Sequence, residues 1–172
     1  MVRPRWMLWL AGVAVLGGCT AGPTPADQGV LPNGESLGEL RQQAHEALDR
    51  YDQAVIAAAG WGPVSGSPRP WGSPPGIAIE SAAGSRSGTQ LTVTFTGARG
   101  PATQSCGADY HAEPVESANA VVVIVIAQPH SYAETCLLVG YTRMAALNLA
   151  RPLGQRAVLE VRQGQPVPVT PG

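Results

Sequence analysis

The side chains best able to do chemistry are concentrated in one stretch, residues 106–116, which reads CGADYHAEPVE. If Asp109, His111 and Glu113 lay on a strand they would share one face, because side chains repeat every two residues. An imidazole between two carboxylates could then hold Zn2+ or a similar cation. The spacing matches no established zinc motif such as HExxH, and one histidine with carboxylates makes a weak site. The plain alternative is a solvated polar loop, and residues 97–116 are read as such a loop. Cys106 or Cys136 as a nucleophilic thiol beside His111 or His130 is a further option. An enzyme built on this cluster would be a metal-dependent or hydrolytic cell-wall enzyme.

Other catalytic signatures are missing. A serine nucleophile elbow needs GxSxG on a strand-to-helix turn, whereas Ser65 and Ser87 each sit one position late and in loops. No glycine-rich loop opens a helix, so nucleotide binding has no foothold, and no cofactor is implied. Trp61 and Trp71 lie in a proline- and glycine-rich loop at 60–76, WGPVSGSPRPWGSPPG from residue 61. They could form an aromatic platform for a ligand; a large ring more often plugs the core.

The N-terminus carries an address. Arg3 and Arg5 precede an uncharged apolar run at 6–16, which matches the positive and apolar regions of a signal peptide. The run is too short to span a bilayer, which needs about 20 apolar residues. Leu16-Gly17-Gly18-Cys19 then resembles the lipobox of bacterial lipoproteins. The resemblance implies cleavage after Gly18 and a lipid on Cys19, with the chain anchored at the extracytoplasmic face of the cell membrane. Residues 1–18 are thus read as signal peptide and 19–35, rich in Pro and Gly, as a flexible tether that cannot offset its ordering entropy. The run at 152–169, PLGQRAVLEVRQGQPVPV, is similar to the C-terminal ends of small actinobacterial lipoproteins of unknown function. An arginine-only basic set, with Ala, Gly and Pro in excess, fits the GC-rich genomes of that group.

With Cys19 taken by lipid, Cys106 and Cys136 remain as a pair in an oxidising compartment, and a disulfide between them is expected. Such a bridge would draw His130 towards the 109–116 cluster.

These groups need a scaffold, and residues 36–170 are long enough for one domain with a real core. Ser36 and Glu39 fit a capping box that starts a helix. Leu37, Leu40, Ala44, Leu48, Tyr51, Val55 and Ala58 form its apolar stripe, and Gly60 follows its end. His45 falls on the polar face. Strands are expected at 77–79 and 91–95, and at 121–126, where VVVIVI has no alternation and must be buried on both faces. One helix covers one face of that strand; the tryptophan loop, the C-terminal segment or another protein would have to cover the other. A bent strand from 136 to 150, kinked at Gly140, and a closing meander complete the pattern. The fold expected is α+β, one N-terminal helix on an antiparallel sheet of about five strands.

Composition narrows the partners. Removing Arg3 and Arg5 from 11 basic residues against 12 acidic ones leaves the mature chain at 9 − 12 = −3. Its scattered arginines offer no basic face for phosphates, so nucleic acid is disfavoured. The function expected is a non-enzymatic binding or interaction module, with the membrane and an envelope protein as its partners.

Overall fold

The structure, a computed structural model, describes residues 37–58, 76–131, 133, 135–137 and 139–172. Helix α1 spans Leu37–Ala57, and seven strands follow: β1 Ile79–Ala83, β2 Gln90–Gly97, β3 Ala108–Glu116, β4 Ala120–Pro129, β5 Tyr141–Asn148, β6 Ala157–Glu160 and β7 Val169–Thr170. The class is α+β as expected, but the single five-stranded antiparallel sheet is not found. There are two sheets, one in the order β5-β2-β1-β7 and one in the order β3-β4-β6. Both are mixed, because β7 runs parallel to β1 and β6 runs parallel to β4.

β4 is the middle strand of the smaller sheet, and residues 120–126 are all buried. Its alternate side chains enter two different cores. Val121, Val123 and Val125 pack with Ile79, Leu91, Val93, Phe95 and Leu147 from the larger sheet. Val122, Ile124 and Ile126 pack with Leu40, Ala44, Ala47 and Leu48 of α1 and with Leu159 of β6. The unbroken apolar run is therefore explained within the chain: its second face is covered by a whole second sheet, in which the C-terminal strand contributes only a short edge. The three layers are helix, three-stranded sheet and four-stranded sheet.

The helix follows its stripe, with Leu40, Ala44 and Leu48 buried and Leu37 and Tyr51 packed at the margin. Two polar groups fix its position. Gln43 is buried and its Nε2 donates to the Val161 carbonyl at 2.8 Å. Asp52 Oδ1 accepts from Ser117 Oγ at 3.1 Å and from Asn119 Nδ2 at 3.0 Å, which ties the far end of the helix to the β3–β4 turn. His45 is exposed. Ser36, Gly60 and the proposed tether lie outside the described residues.

Residues 108–116, expected as loop, form β3, the edge partner of β4. Pro114 and the acidic residues obscure this strand in the sequence. The bond from Ser117 N–H to Ala120 O sets the ladder's parity, so odd-numbered residues of β3 face β4. Pro114 thus turns its nitrogen to the open edge, where no ladder bond is lost. Among the described residues of 136–139 no strand is found, and β5 begins at Tyr141. The closing meander is absent too: β5, β6 and β7 alternate between the sheets. Arg156, buried at the turn between β5 and β6, makes that alternation rigid. It pairs with Glu116 of β3 and donates to the carbonyls of Arg151 at 2.8 Å, Pro152 at 3.0 Å and Leu153 at 3.3 Å. Glu116 also accepts from Ala150 N–H at 2.6 Å, and its carboxylate with the three carbonyls compensates the buried guanidinium.

Because neighbouring β4 side chains enter separate cores, Val122→Ala and Val123→Ala should each cost about 2 kcal/mol. Urea denaturation of the two variants checks this; a sheet with one wet face would register only one of the losses.

Candidate functional site

β3 places Asp109, His111 and Glu113 at alternate positions, opposite Gln128, Ile126 and Ile124 of β4, so the three do share one face. They are not assembled into a site. Glu113 is held by α1, where Arg41 Nε and Nη2 donate to its two oxygens at 2.7 and 2.9 Å. This fork-to-fork pair anchors the helix over the sheet edge. The hydrogen bond from Arg41 holds the Glu113 carboxyl below the usual carboxylate range; burial opposes that shift, and the charges of Arg41 and His111 add to it.

Asp109 and His130 serve a different purpose. Asp109 Oδ1 accepts from the Ala102 N–H at 3.2 Å, while His130 Nδ1 lies 2.6 Å from the Ala102 carbonyl. The two side chains grip opposite polar groups of one loop residue. His130 N–H donates to Gly107 O at 2.9 Å, extending the β3–β4 ladder by one more pair. Among the described residues no group of three or more His, Cys, Asp or Glu is placed to hold a metal ion. Trp61 and Trp71 lie outside the described residues.

The Cys106–Cys136 disulfide is present, with its Cα atoms 5.7 Å apart. Cys106 takes a left-handed backbone at φ 57°, a conformation uncommon for a residue with a side chain. At Gly107 an added Cβ would meet the Pro101 carbonyl at 1.8 Å, so the loop closes only around glycine. Closing a loop of this length removes about 3 to 4 kcal/mol of unfolded-state entropy in the chain-entropy account. The bridge thereby fastens residues 135–137 and 139–140, which belong to no strand, beside the end of β2.

Between that segment and β2 lies a groove of about 710 Å3, lined on one side by residues 96–99 and on the other by Thr135, Leu137, Val139 and Tyr141, with the disulfide in its wall. Leu137 is 91% exposed and Val139 58% exposed. At its rim the Arg99 guanidinium sits 5.7 Å from the centre of the Tyr141 ring. Ala98 of its wall donates its N–H to the Tyr110 hydroxyl at 2.5 Å, and Tyr110 packs edge-on against Phe95 with ring centres 4.9 Å apart. Thr96 Oγ1 donates to Glu80 at 2.6 Å. The groove is thus an apolar trough with one cation and a few hydroxyls at its margin.

Sequence reading did not find this groove. Its only advance signal was the cysteine pair; Leu137 and Val139 read as strand residues, and their exposure follows from the absence of any sheet partner.

No protein-family model matches the chain, and no curated protein or solved structure matches it.

The Arg41–Glu113 pair sets a pH dependence whose sign is fixed by the lowered carboxyl. Its contribution is complete above the unfolded-state pKa of about 4.3 and is lost as pH falls through the lower folded value. Arg41→Ala should therefore cost about 1 kcal/mol at pH 7, as expected for a half-exposed bidentate pair. Denaturation at a series of pH values should show the gap between variant and parent closing on the acid side.

Proposed function

We propose that this chain is a lipid-anchored envelope protein that acts as a binding module, with the groove beside the disulfide as its docking surface. The observation that carries the reading is the groove itself. Its volume falls within the range of about 300 to 1,000 Å3 typical of ligand pockets. Its wall presents Leu137 and Val139 to solvent, and a covalent bridge holds that wall against the sheet.

The chemistry of the lining selects the ligand class. Apolar side chains favour an aliphatic or aromatic segment of a partner protein or small molecule, because burying them releases water. Arg99 favours an acidic or carbonyl group at one end of that segment. The disulfide ties one wall at Cys136, which lowers the conformational freedom that binding would cost there. The polar strand is a weaker candidate, since Glu113 is engaged by Arg41 and Asp109 by the Ala102 amide.

The anchor rests on the resemblance of residues 16–19 to a lipobox. Among the described residues no helix is long and apolar enough to cross a membrane. An acylated N-terminus with a proline-rich spacer would hold the groove clear of the bilayer.

Two experiments separate the address from the activity. Cys19→Ala should move the protein from the membrane fraction to the soluble fraction; retention in the membrane would overturn the lipid anchor. Cross-linking and gentle pull-down of the full chain from intact cells should recover a specific partner, and Val139→Asp, a change at an exposed position, should lose it without lowering the melting temperature. Equal recovery by parent and variant would remove the groove from the reading.

A further inference from the structure

The two sheets have four edges, and three of them are blunted. β7 is only two residues long. The outer side of β6 is occupied, since Val167 N–H donates to Val158 O at 2.8 Å and Glu160 N–H donates to Gln165 O at 3.0 Å. β3 carries Pro114 with its nitrogen on the outer side. β5 has none of these protections. It is eight residues long, contains no proline, and pairs with β2 from end to end without a bulge.

The parity of that pairing determines what β5 offers. Leu149 N–H donates to Thr89 O, so odd-numbered residues direct their backbone groups to β2 and even-numbered ones direct theirs outward. The outward amides and carbonyls of Thr142, Met144, Ala146 and Asn148 have no protein partner among the described residues. All four residues are exposed, and Met144 is 73% exposed. The strand's one charged residue, Arg143, is turned away from this edge. Its guanidinium lies 5.7 Å from the Tyr110 ring centre and donates to Arg99 O at 3.3 Å. Proteins ordinarily guard an edge of this length with charge, proline or a bulge, because it is a template for another strand.

We infer that β5 pairs antiparallel with β5 of a second copy of this chain, joining the two four-stranded sheets into one of eight strands. A two-fold axis through Ala145 sets Met144 against Ala146 of the other copy, a large side chain beside a small one, and sets Thr142 against Asn148, two groups that can hydrogen-bond. The outward groups then meet as hydrogen-bonded pairs, which is the antiparallel pattern. Self-pairing requires that an edge not repel its own image, and the four outward residues carry no charge. An isologous contact of this kind also closes on itself instead of growing into a filament. The inference rests on the edge and not on the groove, so it stands or falls separately from the proposed function.

The test uses the full chain in intact cells. In the proposed register Ala145 faces its own image at a non-hydrogen-bonded position, where Cα atoms lie about 4.5 Å apart, within disulfide reach. Under mild oxidation Ala145→Cys should give a band at twice the chain mass on a non-reducing gel, above the background of the parent. Adding Ala146→Pro should abolish the band while leaving the melting temperature intact, because the lost N–H points away from β2. Met144→Lys, which sets like charges close to the axis, should abolish it as well and serves where proline unsettles the fold. No cross-link beyond background, or a dimer that survives both changes, overturns the inference. A cross-linked band of any other mass would place a different protein's strand on this edge and would overturn the assignment to a second copy.

Discussion

Burial of both faces of β4 is the constraint on which the rest of this molecule depends. A strand with Val121, Val122, Val123, Ile124, Val125 and Ile126 in succession has no side it can show to water. Each face requires its own apolar layer, and the chain supplies one from before the strand and one from both before and after it. Helix α1 precedes β4 and covers the even-numbered side chains; β1, β2 and β5 cover the odd-numbered ones. Removing either layer would expose a flat, uncharged, β-prone surface of the kind that aggregates. The three-layer architecture is the smallest arrangement that hides such a strand.

This constraint was legible in the sequence, and so was the helix, because periodicity reports burial directly. What could not be read was the identity of the second cover. Leu91, Val93 and Phe95 alternate with threonines, which announces a strand with one wet face but not the sheet in which it lies. Two parallel pairings, β4 with β6 and β1 with β7, send consecutive strands into different sheets, and no local pattern marks such a crossing. β3 was hidden for another reason. Its Asp109, His111, Glu113 and Pro114 carry the composition of a loop, and only an edge position makes them compatible with a strand.

The same contrast separates the two candidate sites. The polar cluster was conspicuous because its residues are consecutive, yet the fold gives them structural work, with Glu113 pinning the helix and Asp109 and His130 gripping the loop at Ala102. The groove was inconspicuous because its walls come from separate stretches, 96–99 and 135–141, joined by a bridge to Cys106. Proximity along a chain is a poor guide to a site: Asp109, His111 and Glu113 share one face of β3, yet Arg41 engages one carboxylate and the Ala102 amide the other.

The placement of β7 bears on the order in which the molecule folds. Val169 and Thr170 pair with Ala82 and Ala83 of β1, and Gly172 lies against Gly84. The helix and the β3–β4 hairpin are local and can form early, whereas this pairing joins stretches far apart in the chain. Non-local strand pairing is slow because the intervening loop must close first. A folding protein of this design completes the larger sheet late, and its long apolar strand stays dependent on whatever shields it in the interval.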